Sequence, residues 1–273
     1  MNADERRGLP VFIIGCHRCG TTLLRYILDV HPRLACPPES KFIGGLAAMV
    51  CYPQALAGLQ SMDVSRKAVM EWVREFAERT FSRYAASQGK PRWIDKTPNY
   101  FDLLPFIDEM FSQRVLYVLL TRCPFDAIAS LQASPYFTPA TITDPHVSRF
   151  VNEYGHTCEA FARYWRHVHS KIGQFNALHP DRTLRVKYED LVRNPVVTTT
   201  AILEFIGERY VDGILEQAFT EPHVYGFGDW KIRSTSKIHA DSVLGPAGWP
   251  EDERKLCWDI VGSVASELGY AAA

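Results

Sequence analysis

The chain has 273 residues, enough for one large domain with a substantial core. Apolar residues make up 47% and charged residues 22%, the balance of an ordinary globular protein rather than a disordered one. The formal net charge of −1 argues against a broad basic surface for nucleic acid, so any anionic ligand must be met by local basic groups.

The first ten residues, MNADERRGLP, are polar, and too few apolar residues follow for a signal-peptide core or a membrane span. A cytoplasmic location without a membrane span is therefore expected. Seven scattered cysteines then read as reduced thiols that mostly fill the core.

Val11–Cys16 is a short apolar run of the kind that forms a buried strand. A tight loop with Gly15, Arg18, Gly20, Thr21 and Thr22 follows, and a helix over Thr21–Val30 carries Leu23, Leu24, Ile27 and Leu28 on one face. Strand, glycine loop and helix in that order build an anion cradle, because amides at the helix start and the helix dipole both favour negative charge. Gly15 and Gly20 have the spacing of a triphosphate-binding loop, but Thr21 stands where that loop carries lysine, and the cation comes earlier, as Arg18. Within the same loop Cys16-His17-Arg18-Cys19 is a C-x-x-C at a helix start, which also suits dithiol redox chemistry. A zinc site would need two further ligands, and no second C-x-x-C or H-x-x-x-H occurs.

Further along, a short strand is expected near Leu34–Cys36, and Glu39 follows it in HPRLACPPESK; as a local feature it could cap the next helix. A helix over Arg66–Ser87 sets Val69, Trp72, Val73, Phe76, Thr80, Phe81 and Tyr84 on one stripe, a packing face. Strand Arg92–Asp95 leads into Asp95-Lys96-Thr97-Pro98, where Lys96 could pair with Asp95. A helix over Leu103–Phe111 precedes strand Val115–Thr121. Arg122 then stands before a helix over Pro124–Gln132 that carries Ser130, and an ion pair from Arg122 to Asp126 is an open alternative to ligand binding. Ser134–His146 reads as a loop, either passive or part of a lid. Helix Val151–Asn176, strand Thr183–Lys187 with Tyr188 after it, and helix Pro195–Ile206 follow. A Ser/Thr/Lys-rich loop over residues 228–249 comes next, and a last helix covers Pro250–Leu268. Alternating strands and helices imply a single domain over residues 1–273. The expected fold class is α/β, a P-loop-NTPase-like parallel sheet flanked by helices, with ligands beyond the carboxyl ends of the strands.

Arg18-Cys19-Gly20-Thr21-Thr22-Leu23-Leu24 resembles the phosphosulfate loop [RK]-S-G-T-T-x-L of sulfotransferases that use 3′-phosphoadenosine 5′-phosphosulfate (PAPS). Arg122 and Ser130 match that family's R-x-P-x-x-x-x-x-S, and Tyr188-Glu189-Asp190-Leu191 matches its Y-E-D-L. The resemblance implies that Arg18, Cys19, Gly20, Thr21, Thr22 and Leu23 hold the phosphosulfate and that Arg122 and Ser130 hold the 3′-phosphate. It also puts Tyr188 by the adenosine and Ser234, Thr235 and Lys237 in a loop over the nucleotide, with Arg233 a further candidate. The layout of the opening residues is similar to the tyrosylprotein branch, which implies Glu39 as general base and Lys96 at the leaving-group oxygen, assisted by Arg18 and Ser234. That branch needs no metal. Two positions depart from the pattern: Cys19 replaces serine, and Ser134 stands where that branch has arginine. A hydroxyl-bearing acceptor is implied, namely a small metabolite, a glycolipid or a tyrosine. A kinase-like nucleotide-binding enzyme and a C-x-x-C dithiol protein remain the alternatives.

Overall fold

Five strands, β1 Val11–Gly15, β2 Leu34–Ala35, β3 Arg92–Lys96, β4 Leu116–Thr121 and β5 Thr183–Lys187, pair in parallel in the order β2-β3-β1-β4-β5. The computed structural model of the chain describes residues 3–228, 232 and 235–272. β1 registers Val11 against Ile94 on one side, and Val11 through Gly15 against Leu116 through Leu120 on the other. β1, β3 and β4 are buried along their whole length, as strands covered on both faces must be. Along β1 the side chains alternate between two cores, Phe12 and Ile14 in one and Val11 and Ile13 in the other.

The helices are α1 Ala3–Arg6, α2 Thr21–Asp29, α3 Ile43–Cys51, α4 Pro53–Gln60, α5 Arg66–Ser87, α6 Leu104–Met110, α7 Pro124–Gln132 and α8 Pro145–Tyr154. Then come α9 Cys158–Leu178, α10 Tyr188–Arg193, α11 Pro195–Phe205, α12 Ile214–Thr220 and α13 Glu251–Glu267. Proline opens α4, α7, α8 and α11, where a missing N–H costs nothing. Among the described residues no helix is long and apolar enough to cross a membrane.

The expected parallel α/β sheet is present, with corrections in the helices. The single helix expected over Val151–Asn176 is two, because Gly155 adopts φ 72° and Thr157 caps a new start by accepting from the Ala160 amide. The loop expected over Ser134–His146 ends two residues early, since Asp144 accepts from the His146 and Val147 amides and starts α8. Residues 98–111 divide into a 3₁₀ turn over Pro98–Leu103 and then α6. On α5 the buried stripe is Val69, Met70, Val73, Ala77, Phe81 and Ala85, while Trp72 and Phe76 face outward. The stripe that meets the core runs at i, i+4 spacing through Val69, Val73, Ala77, Phe81 and Ala85, and Trp72 and Phe76 lie to one side of it.

Candidate functional site

Four strand ends converge on one crevice, on both sides of β1, where the order of connection reverses. Gly15 lets β1 lie against β4, since a Cβ there would sit 2.9 Å from the Leu120 carbonyl oxygen. Gly20 starts α2 at φ 87°, and a Cβ on it would meet the Tyr188 ring at 2.3 Å. Between them Arg18 holds φ 68°, a left-handed conformation that costs a non-glycine residue about 1–2 kcal/mol. This bend turns Arg18, Thr21 and Thr22 toward the crevice.

A cavity of about 340 Å³ opens there. Its floor is Gly20, Thr21, Thr22 and Leu23, and its sides include Arg18, Arg122, Ser130 and Tyr188. Thr235 and Lys237 close it from the late loop. Arg122 is 6% exposed. It donates to the carbonyls of Arg18 at 2.8 Å and Ser242 at 2.7 Å, and its guanidinium stacks 4.5 Å above the Tyr188 ring. Its Nε is buried with no partner among the described residues. An unpaired donor of this kind is expensive unless a ligand takes it. The suggested Arg122–Asp126 pair does not form among the described residues, and Asp126 Oδ1 instead accepts from the Leu244 and Gly245 amides. Ser130 Oγ accepts from Arg18 Nε at 3.0 Å. Glu189 is structural, accepting from the Cys123 amide at 2.7 Å and from Tyr270 Oη at 3.0 Å.

Lys96 ends β3 with no exposed surface and donates to Glu39 Oε1 at 2.8 Å. It does not pair with Asp95. Lys41 Nζ approaches the other Glu39 oxygen at 3.6 Å. Burial pushes the Glu39 carboxyl up, but Lys96, then His17 and Lys41, more than offset this and hold it below its usual range. Asp95 is fully buried, and desolvation raises its carboxyl to about 7 against hydrogen bonds from Ser40 and Thr97. Lys96 Nζ and Thr22 Oγ1 both lie near Gly228, where a Cβ would be 3.6 and 3.5 Å from them.

A second cavity, of about 260 Å³, lies on the far side of the loop. It shares Arg18, Thr21 and Thr22 with the first and contains Glu39 and Lys41. Tyr136, Phe137 and Phe227 give it an aromatic wall. His17 also lines it, with Nε2 2.9 Å from Asp144 Oδ2, which also accepts from Asn99 at 3.1 Å. Burial alone would raise the Asp144 carboxyl, but the hydrogen bond and charge of His17, with His146, bring it well below its ordinary range.

A family model described as the sulfotransferase family matches residues 10–212. The chain belongs to the sulfotransferase family. The sulfotransferase is 26% identical to nodulation protein H of Rhizobium tropici, over 72% of this chain and 75% of that protein. It is 26% identical to protein-tyrosine sulfotransferase 2 of Gallus gallus, over 96% of this chain and 67% of that one. Nodulation protein NoeE of Sinorhizobium fredii is 30% identical over 46% of the chain, which spans only 32% of that longer protein. Among solved structures, the sulfotransferase domain of the Synechococcus PCC 7002 olefin synthase superposes with a TM-score of 0.61 at 23% identity, covering 97% and 96% of the two chains. A mouse sulfotransferase complexed with PAP superposes at 0.52 with 13% identity, covering 97% and 90%.

The sulfotransferase thus brings together Arg18, Gly20, Thr21, Thr22, Leu23, Arg122, Ser130, Tyr188, Thr235 and Lys237 around one cavity, with Glu39 and Lys96 beside the shared loop. Ser234 and Arg233 lie outside the described residues. Cys19 goes elsewhere: its side chain is fully buried, it does not line the cavity, and its amide is used by the Cys16 carbonyl at 3.2 Å. Sequence reasoning missed Ser242, whose Oγ lies 2.8 Å from Tyr188 Oη, and the His17–Asp144 pair. Ser242 had a weak signal in the same polar loop as Thr235. His17 and Asp144 lie 127 residues apart in the chain, and their pairing left none.

Proposed function

We propose that this sulfotransferase uses PAPS as donor and transfers its sulfuryl group to a hydroxyl on a small metabolite, a glycolipid or a tyrosine, acting in the cytoplasm. The observation that carries this reading is that two cavities share Arg18, Thr21 and Thr22, one walled by Arg122, Ser130 and Lys237 and the other containing Glu39. The buried, unpartnered Arg122 Nε supports the fit of a phosphate in the first cavity. So does the Gly20 bend, whose lack of a Cβ keeps the loop against Tyr188.

PAPS, when bound, supplies an activated sulfuryl group with a nucleotide phosphate as its leaving group. In this reading Arg18, the hydroxyls of Thr21 and Thr22, and the amides at the start of α2 hold the phosphosulfate. Arg122 and Ser130 take the 3′-phosphate, with the flat guanidinium fork suited to two phosphate oxygens. Tyr188 flanks the adenosine, and Thr235 and Lys237 contact the nucleotide from the late loop. Glu39 accepts the acceptor's proton. Its carboxylate is kept ionised by Lys96, so it is ready as a base without first losing a proton. Lys96 has three N–H groups and uses one on Glu39, leaving donors for charge on the departing phosphate oxygen.

The experiment is a labelled-sulfate transfer screen with PAPS across alcohols, phenols and glycans, alongside calorimetry of 3′-phosphoadenosine 5′-phosphate against ATP–Mg²⁺. The 3′-phosphorylated nucleotide should bind and ATP–Mg²⁺ should not compete. Preference for ATP–Mg²⁺ would favour the kinase-like alternative, which Thr21 at the lysine position argues against. The dithiol alternative is disfavoured because Cys16 and Cys19 are both fully buried.

A further inference from the structure

Directly beneath the loop, β1 runs out into Cys16, and the turn brings Cys19 back to it, with the Cys19 amide donating to the Cys16 carbonyl at 3.2 Å. α9 supplies His169 from across the core. The two sulfurs and a ring nitrogen of His169 all lie within 4.8 Å of one another, and Cys19 Sγ is 3.9 Å from His169 Nε2. In a tetrahedral zinc site the ligand atoms stand about 3.6–3.8 Å apart, given metal–ligand bonds of about 2.0–2.3 Å. All three side chains are buried, at 0%, 0% and 1% exposure.

One observation indicates that this cluster is not a closed packing arrangement. His169 Nδ1 is buried and has no hydrogen-bond partner among the described residues. The fully buried Tyr164 hydroxyl lies beside Cys16. An imidazole left half-satisfied beside two thiols in a dry core points to a missing component. Two thiols confined together in a dry core can both ionise only if a cation balances them.

We propose that Cys16, Cys19 and His169 bind a thiophilic metal ion, zinc in the first instance, which fastens the β1–α2 loop to α9. Two thiolates and one imidazole form a donor set that suits zinc. Tyr164 Oη is the oxygen at hand for the remaining position. Binding releases the thiol protons and leaves the sulfuryl-transfer residues untouched in identity. The metal is structural, so this inference does not depend on the donor or acceptor assigned above. Sequence spacing hides the site because the third ligand comes from 150 residues downstream.

The test uses the full chain, purified under reducing conditions, equilibrated with Zn²⁺ and desalted. About one equivalent of zinc should stay bound by elemental analysis and should raise the melting temperature. Replacing zinc with Co²⁺ should give sulfur-to-cobalt charge-transfer absorption in the near ultraviolet and strong tetrahedral d–d bands. This spectrum is read on the unmutated protein, so it does not depend on any variant folding. Cys16→Ser combined with His169→Ala should lose the retained zinc. Three results would each overturn the proposal: no zinc retained by the reduced wild-type chain, equal retention in the double variant, or a cobalt complex without thiolate charge-transfer absorption. A Cys16–Cys19 disulfide found by mass spectrometry in the chain as isolated, with no metal, would overturn it in favour of a redox pair.

Discussion

Lys96 Nζ donates a 2.8 Å hydrogen bond to Glu39 Oε1, and the lysine that does so is wholly inside the protein. Neither charge could be buried alone, so each is a condition for the other. The pair lies where β3 ends, between the shared loop and the Glu39-bearing cavity, and it links the proton acceptor to the cation that faces the leaving group in the proposed reaction.

Glu39→Gln should lower kcat by about 10²- to 10⁴-fold, the usual worth of a general base. Affinity for 3′-phosphoadenosine 5′-phosphate should stay within a few-fold, since Glu39 does not line the first cavity. Glutamine removes the counter-charge of Lys96 but keeps a hydrogen-bond acceptor for it, whereas Glu39→Ala would remove both and confuse the reading further with instability. Turnover preserved in the glutamine variant would reject Glu39 as the base.

Asp95 gives a pH dependence that does not involve substrate. Its carboxyl has an ordinary value of 3.8 and is raised to about 7 by complete burial. Between those values the native state holds a proton that the unfolded chain has released. Stability therefore falls as pH rises through this window, by on the order of 4 kcal/mol in full. Asp95→Asn removes the titration. Its melting temperature should approach that of the wild-type chain near pH ~4 and exceed it increasingly toward pH ~8. A difference that stays flat across this range would show that Asp95 does not titrate as the burial argument requires.

In the proposed reading, Arg122 separates nucleotides by one phosphate. Arg122→Gln should weaken 3′-phosphoadenosine 5′-phosphate by roughly 30- to 1000-fold, the loss expected for charged hydrogen bonds of about 2–4 kcal/mol. Adenosine 5′-phosphate, which lacks the 3′-group, should lose far less. Calorimetry with both nucleotides makes the comparison. Equal losses would mean that Arg122 supports the loop, through its bonds to the Arg18 and Ser242 carbonyls, rather than a phosphate.

The sheet and the residues that line the first cavity were largely legible in the chain because their signals are local. Val11–Gly15, Leu116–Thr121 and Thr183–Lys187 are continuous apolar or alternating runs, and the candidate residues Arg18, Arg122 and Tyr188 follow within three residues of their ends. Asp144 is an N-cap followed by proline, a local signal that a loop reading passed over. What the chain concealed is pairing between distant segments. Glu39 and Lys96 are 57 residues apart, and no spacing rule connects them. Trp72 and Phe76 fit a helical stripe by hydrophobicity yet face outward, because periodicity defines a face but not which of two adjacent faces the core will accept.

Gly20 and Tyr188 meet across 168 residues of sequence, and their contact can be isolated by a double-mutant cycle. Gly20 holds φ 87°, and any Cβ would fall 2.3 Å from the Tyr188 ring. Gly20→Ala therefore carries two costs. A left-handed non-glycine backbone costs about 1–2 kcal/mol, and displacing a packed ring costs about 1–3 kcal/mol more. In a Tyr188→Ala background only the backbone cost should remain, so the two substitutions should be less destabilising together than the sum of each alone by about 1–3 kcal/mol. Denaturant midpoints of the four proteins measure this. Strict additivity would mean that the loop moves away from the ring at little cost, and the rigid bend on which the cradle depends would not be held in place by Tyr188.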